Sequence, residues 1–438
     1  MSNSWINLVP SIEPEQRSKI IEEVSQAFKG RSLTELRQDH EKLIQQALPL
    51  TRAVIQHMSL QAGEAEIQEL AREVAARVGG LGFLEPLLRL DSGYTEIAVN
   101  TNGSVWVVPK GDQDFVRLEN VHPSLNDVWR AVEALLAPLG RACNEATPSV
   151  DAKLPRQEGL PGGARVKVLH PVIAPGDGYP VINIRLFEPK PVPPQKLVEW
   201  KVAPKEVIDA LIEAVSRGLR ILIIGGTASG KTTLLSAICH GIPKAARVVK
   251  IEDPEEIWLD HMHVVALEAR PAQIGTSVTS YTLAHGVDDA MRMSPRWLIV
   301  GEMRRGDAVA ALFRAQMSDH PGLSTFHAEG PESAIGRLNL LLFNDIGVRA
   351  EGAKEMFIQA VDLLVQVGFR LNEQGQRRRH IVGIWAVDKT LKAGNVTFSA
   401  LYRLPGQEFE ERSASLAHVE NLLNEFSHKQ AEKGASHV

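Results

Sequence analysis

Cysteine is scarce: 438 residues contain two, Cys143 and Cys239, in unrelated surroundings. Two thiols cannot build a disulfide framework or a four-cysteine zinc ribbon within one chain, and they suit a reducing compartment. Aromatics make up 5% of residues and the formal net charge is −5, which argues against a nucleic-acid binder. No uninterrupted apolar run reaches the ~18 residues of a membrane span. The N-terminus lacks a basic segment followed by an apolar one, so no signal peptide is expected. These absences lead to the expectation of a cytoplasmic protein with no membrane span of its own. The 44% hydrophobic and 23% charged fractions are ordinary for a globular chain of two to three domains.

What is present centres on one stretch. Ile221 to Ile224 is an apolar run fit for a buried strand, and Gly225-Gly226-Thr227-Ala228-Ser229-Gly230-Lys231-Thr232 follows, with Thr233 next. This is the P-loop pattern G-x-x-x-x-G-K-[ST], ahead of a helix-favouring run from Leu234. Glycines let backbone N–H groups wrap phosphate oxygens, and the helix start offers positive charge there. Lys231 is expected on the β- and γ-phosphates, and the Thr232 hydroxyl on Mg²⁺. ATP and Mg²⁺ are thus the expected ligands.

The first ~80 residues read as helices by their apolar spacing. Ile20, Val24 and Phe28 share a face, and Gly30 is a stop. Ser32-Leu33-Thr34-Glu35 is a capping box for a helix carrying Leu36, Leu43, Ile44 and Ala47, broken or kinked at Pro49. A further helix covers 64–78. This extension, residues 1–79, is either a bundle packed on the rest or a docking module for a partner.

Residues 80–188 read as an α+β domain. Strands are expected at 95–100 and 104–109 around a Thr-Asn-Gly turn, a helix at 125–137, and strands at 165–170 and 180–186. Pro189, Pro191, Pro193 and Pro194 mark 189–203 as a stiff linker. From 204 to 405 helical and apolar β-rich runs alternate, with strands at 220–224, 247–251, 297–300, 324–326 and 363–367. That alternation means a parallel-rich sheet covered by helices. A late hairpin is expected at 382–386 and 396–401, and a polar tail with a helix at 416–426 occupies 406–438. Arg377-Arg378-Arg379, the strongest basic run, reads as a solvated hairpin.

Three further clusters belong with the P-loop. Glu252 ends a strand in Ile251-Glu252-Asp253-Pro254-Glu255-Glu256 and is expected in the ligand crevice. Glu302 ends Trp297-Leu298-Ile299-Val300-Gly301-Glu302 with no Asp before it, and is assigned as base or water-positioner. His327 ends Gly322-Leu323-Ser324-Thr325-Phe326-His327, where it would contact or sense the γ-phosphate. His320 is a second candidate with an equal claim to a structural role.

Taken together, these segments resemble the secretion ATPase superfamily of type II and type IV secretion, type IV pili and conjugation. The likeness rests on the P-loop, the acidic box at 250–256, the strand ending in Gly301-Glu302, and the His320–His327 segment. It extends to Leu267-Glu268-Ala269-Arg270-Pro271 and, in the N-domain, to Asp151-Ala152-Lys153-Leu154-Pro155 and Gly163-Ala164-Arg165-Val166. Within it, the tight-adherence (Flp) pilus and conjugative motors are most similar. The resemblance implies a RecA-like C-domain after an α+β N-domain and a hexameric ring. It also implies an inner-membrane platform protein as partner and a peripheral position at the cytoplasmic face of that membrane. It places Arg165 and Arg185 where similar motors contact nucleotide. The rival class is a RecA-like nucleic-acid motor, which needs a basic, aromatic-dotted channel.

Overall fold

The structure, a computed structural model, describes residues 12–28, 40–89, 92–112, 114–156, 160–188, 190–270, 272, 279–371 and 377–404. The chain forms two compact units, Met1–Pro189 and Lys190–Val438.

The first unit opens with helices α1 (Pro14–Gln26), α2 (His40–His57) and α3 (Glu64–Gly79). Ile20, Val24 and Phe28 meet Leu43, Ala47 and Ile55 of α2 and Leu70, Ala71 and Val74 of α3 in a shared core. The three- and four-residue spacing of these side chains makes each helix amphipathic. Gly30, the capping box at Ser32-Leu33-Thr34-Glu35 and Leu36 lie outside the described residues. Pro49, expected to break or kink its helix, lies inside α2, which continues to His57. The apolar face runs on past it. Buried Thr51 donates its hydroxyl to the Ala47 carbonyl at 2.9 Å.

A six-stranded antiparallel sheet follows, in the order β3-β2-β1-β6-β5-β4. Its strands are β1 (Tyr94–Val99), β2 (Val105–Pro109), β3 (Val116–Arg117), β4 (Ser149–Leu154), β5 (Ala164–Leu169) and β6 (Val181–Leu186). The expected turn joins β1 to β2, with Gly103 at φ 74°. Helix α4 (Leu125–Leu136) starts on a capping box. The Asp127 amide donates to Ser124 Oγ at 3.2 Å, and the Ser124 amide to Asp127 Oδ2 at 3.1 Å. Its Val128, Val132, Leu135 and Leu136 bury with Ile97, Val99, Val166, Val168, Ile182 and Ile184. The alternate positions form the other face of the sheet. There Lys153, Arg165, Arg185 and Glu96 stand opposite one another across four strands.

In the second unit the Pro-rich stretch is not the extended tether expected from its prolines. It holds helix α5 (Pro194–Glu199), and Val192, Leu197, Val202 and Ala203 are buried in the core. Proline at a helix start costs nothing, since that N–H has no intrahelical partner. Helix α6 (Lys205–Ser216) leads to an eight-stranded sheet in the order β14-β13-β12-β7-β11-β10-β8-β9. The strands are β7 (Ile221–Gly225), β8 (Val248–Glu252), β9 (Val264–Glu268), β10 (Trp297–Met303), β11 (Gly322–His327), β12 (Leu363–Leu371), β13 (Arg377–Val387) and β14 (Phe398–Arg403). β12, β7, β11, β10, β8 and β9 pair in parallel, and β13 and β14 add antiparallel.

Ile221 and Ile223 face a core with α5, α6 and α7 (Lys231–Ile238). Leu222 and Ile224 face a second core with α8 (Leu283–Ala290), α9 (Gly306–Met317), α10 (Pro331–Ile346) and α11 (Ala350–Ala360). Burial on both faces is why the central strands read as unbroken apolar runs. The result is the expected α/β architecture: a parallel-rich C-terminal sheet preceded by an α+β unit and N-terminal helices. The tail helix at 416–426 lies outside the described residues.

Candidate nucleotide site

All six parallel strands point their C-terminal ends at one rim, where an open α/β sheet binds ligands. The P-loop leaves β7 at that rim. Gly225 lies in register with His327 of β11 on one side and Val367 of β12 on the other. A side chain at 225 would meet the Val367 carbonyl oxygen at 2.4 Å, so glycine is required there by contact. Ala228 at φ 57° and Gly230 at φ 93° then turn the chain through the left-handed region into α7. Gly226 and Thr227 bridge to this turn, and Thr232 and Thr233 stand in the first turn of α7. The Ser229 hydroxyl donates to the Gly226 carbonyl at 2.9 Å. Buried Lys231 donates its ammonium to the Gly225 and Gly226 carbonyls at 3.1 and 2.9 Å.

Glu302 reaches the same place from β10. Its Oε1 lies 3.5 Å from Lys231 Nζ, and its Oε2 accepts from Arg304 Nη2 at 2.7 Å and Nε at 2.9 Å. The Thr325 hydroxyl donates to the Gly301 carbonyl at 3.1 Å, pinning the backbone just ahead of it. Burial alone would raise the Glu302 carboxyl, but Arg304 and Lys231 outweigh it and hold it below the usual carboxylate range. His327 is lowered by burial, then by the positive charges of Lys231 and Arg337, against a smaller opposing pull from Glu302 and Glu329. Both residues therefore share the electrostatic environment of the P-loop lysine.

Two other candidates have contacts of their own. His320 precedes β11 at the end away from the rim, with its Nδ1 3.2 Å from the Ala315 carbonyl oxygen. The strand separates it from His327 by ~20 Å. Glu252, expected in the crevice, is 2% exposed. Its Oε1 accepts from the Glu256 and Ile257 amides at 3.0 and 2.8 Å, and its Oε2 pairs with buried Lys250 at 3.0 Å. Burial raises its carboxyl despite Lys250 and the two amides. It organises the 252–257 turn beneath the rim, and Lys250 also reaches Glu255 Oε1 at 2.6 Å and the Ile257 carbonyl.

Three contributors were given no role of their own by the sequence reading: Lys250 and Arg304, just described, and Arg379. Arg379 belongs to the basic run expected to be solvated, yet its Nε donates to the Ala228 carbonyl at 2.9 Å. An open cleft of about 430 Å³ lies beside the P-loop, lined by Gly226, Glu329, Gln366, Phe369, Arg370 and Arg377 among others. Arg165 and Arg185 belong to the other unit, where they stand opposite each other on β5 and β6. Among the described residues no group of three or more His, Cys, Asp or Glu is arranged to hold a metal. A hard cation here would take the Thr232 hydroxyl, phosphate oxygens and water, the oxygen set magnesium accepts.

A family model described as type II/IV secretion system protein matches residues 78–384. The conjugal transfer protein TrbB of Rhizobium radiobacter is 30% identical over 298 residues, covering 67% of this chain and 84% of the relative. The type IV secretion system protein PtlH of Bordetella pertussis is 35% identical over 185 residues, 41% of this chain and 53% of its own. Among solved structures, the pilus retraction motor PilT with bound ADP matches with a TM-score of 0.51 and 17% identity. It covers 79% of this chain and 89% of that one, a likeness of fold. The family match begins at the end of α3, crosses both sheets and takes in the P-loop, Glu302 and His327; the chain belongs to the type II/IV secretion system protein family.

Proposed function

We propose that the chain is an ATPase whose hydrolysis drives a secretion or type IV pilus assembly machine of the tight-adherence kind. In this reading it works as a hexameric ring at the cytoplasmic face of the inner membrane, against a membrane-embedded platform protein. The observation that carries the reading is the pairing of a P-loop lysine with a rim carboxylate 3.5 Å away.

Lys231 rests on two backbone carbonyls, and phosphate oxygens replace them as its partners when nucleotide binds. Amides of the loop and of the first turn of α7 take the remaining phosphate charge. The Thr232 hydroxyl would hold Mg²⁺, which would supply neutralisation of phosphate charge. Glu302 is kept ionised by Arg304 and Lys231, which makes it a weak proton acceptor and a good acceptor of water's hydrogen bonds. It therefore orients the attacking water, and His327 senses the γ-phosphate beside Gly225. Glu302→Gln tests this: ATP binding is retained and turnover falls by ~10³-fold or more. Loss of ATP affinity with turnover of bound ATP intact would make Glu302 a binding group.

A conjugative type IV secretion motor is the second reading, favoured by the similarity to TrbB over 84% of that protein.

A further inference from the structure

Arg379 is the residue of the 377–379 run whose surroundings differ from the other two. Arg377 and Arg378 are exposed, whereas Arg379 is half-buried and turned onto the P-loop. Contacts with the P-loop and with β12 hold it. Its Nε donates to the Ala228 carbonyl at 2.9 Å, across 151 positions of sequence. Its Cδ lies so near Gly230 that a side chain there would approach it at 3.2 Å. Its guanidinium carbon sits 5.9 Å from the centre of the Phe369 ring, the residue directly opposite it on β12. A cation over an aromatic face adds a modest attraction and fixes the stem.

Ala228 is a non-glycine residue at positive φ, a conformation that costs about 1 kcal/mol and persists when neighbours enforce it. We propose that Arg379 is a positioning residue for the P-loop. It holds the Ala228 carbonyl toward β13, so that the next amide, that of Ser229, faces the opposite way and meets phosphate. The trans peptide is planar, and its C=O and N–H point in opposite directions. Fixing one end of that peptide therefore aims the other. Arg379 touches no reacting atom in this scheme; it acts through the loop. The ligand that gains is the diphosphate common to ADP and ATP, because a loop amide is used equally before and during the reaction. Uniform binding of this kind appears in KM and not in kcat.

The inference rests on the ATPase reading, and the test separates the two. Arg379→Met keeps the alkyl stem over Gly230 and Phe369 and removes the donor. Arg379→Gln is a second, shorter neutral variant, and Arg379→Lys restores charge with a single donor. The dissociation constant for ADP, the KM for ATP and kcat are measured for each, with thermal melting in the absence of nucleotide as the control for folding. A lost charge-assisted hydrogen bond predicts an ADP constant and a KM raised about tenfold in Met and Gln, partly recovered in Lys, with kcat within about twofold. Unchanged ADP affinity in whichever neutral variant folds overturns the proposal. So does a collapse of kcat at unchanged affinity, which would place Arg379 on the transferred phosphate. Wild-type protein that binds no ADP would instead overturn the ATPase reading itself.

Discussion

Two glutamates end neighbouring strands at the same rim, and their surroundings differ. Glu302 is partly open and ionised, held between Lys231 and Arg304. Glu252 is closed off, with each oxygen already engaged by Lys250 or by an amide. The same substitution should therefore report on chemistry at one and on stability at the other. Glu252→Gln leaves Lys250 buried with half its charge partners, a change that typically costs about 3 kcal/mol. Urea unfolding should show that loss, while ATP turnover per folded molecule stays near wild type. Full stability with abolished turnover would instead support the site role expected of Glu252 from its position after β8. From sequence alone the two acids looked alike, because both follow apolar strands. What separates them is Lys250 beneath the strand end and the turn that folds back over Glu252, and neither is a local signal.

At the level of elements, an ion cluster around buried Asp362 joins the P-loop strand to its neighbour. Asp362, just before β12, accepts from Arg220 Nη2 at 2.7 Å, from Arg220 Nε at 2.8 Å, from the Arg220 amide at 3.0 Å, and pairs with Lys389 at 2.7 Å. Burial alone would raise its carboxyl, yet Arg220 and Lys389 hold it below the ordinary aspartate value. A lowered carboxyl stabilises the fold fully above the unfolded pKa of ~3.9, and the contribution fades as pH falls through the folded value. Asp362→Asn should cost about 3–5 kcal/mol at neutral pH and flatten the acid limb of stability against pH; identical acid limbs would refute the assignment. The central strands were legible because burial on both faces writes them as apolar runs. Strand β4 was not, although Val150, Ala152 and Leu154 alternate inward, because Asp151 and Lys153 break the run. The half-exposed β9 was missed although Val264 to Leu267 is an apolar run, because the run is only four residues long. Prolines misled twice, at Pro49 and at Pro194, since tertiary packing and position in a helix override their local meaning. Arg379 could not be placed without the pairing of β12 with β13, which sets it beside a loop far earlier in the chain.

At the scale of the whole molecule, the proposal for a ring motor turns on the first unit. Its polar sheet face carries Arg165 opposite Arg185, flanked by Lys153 and Glu96. Guanidinium groups pair with phosphate oxygens through a rigid fork and stay charged, so we propose this pair as a clamp for nucleotide phosphates. If the clamp operates, Arg165→Ala and Arg185→Ala each lower turnover by ~10³-fold, with Arg→Lys recovering little. Near-wild-type turnover in both would refute it, and lost ring assembly at normal nucleotide affinity would make them subunit-contact residues. The order of strands in the second sheet carries a different consequence, for the chain during its synthesis. β7 takes its two neighbours from downstream: β11 begins at Gly322 and β12 at Leu363. A ribosome adding about 5–20 residues each second needs roughly 7–30 seconds to pass from Gly225 to Leu371. Through that interval the P-loop has been made but the strands that set Gly225, and the arginine that grips Ala228, have not. A truncated product lacking β12 and β13 would therefore lack the contacts that set Gly225 and Ala228 in the finished chain.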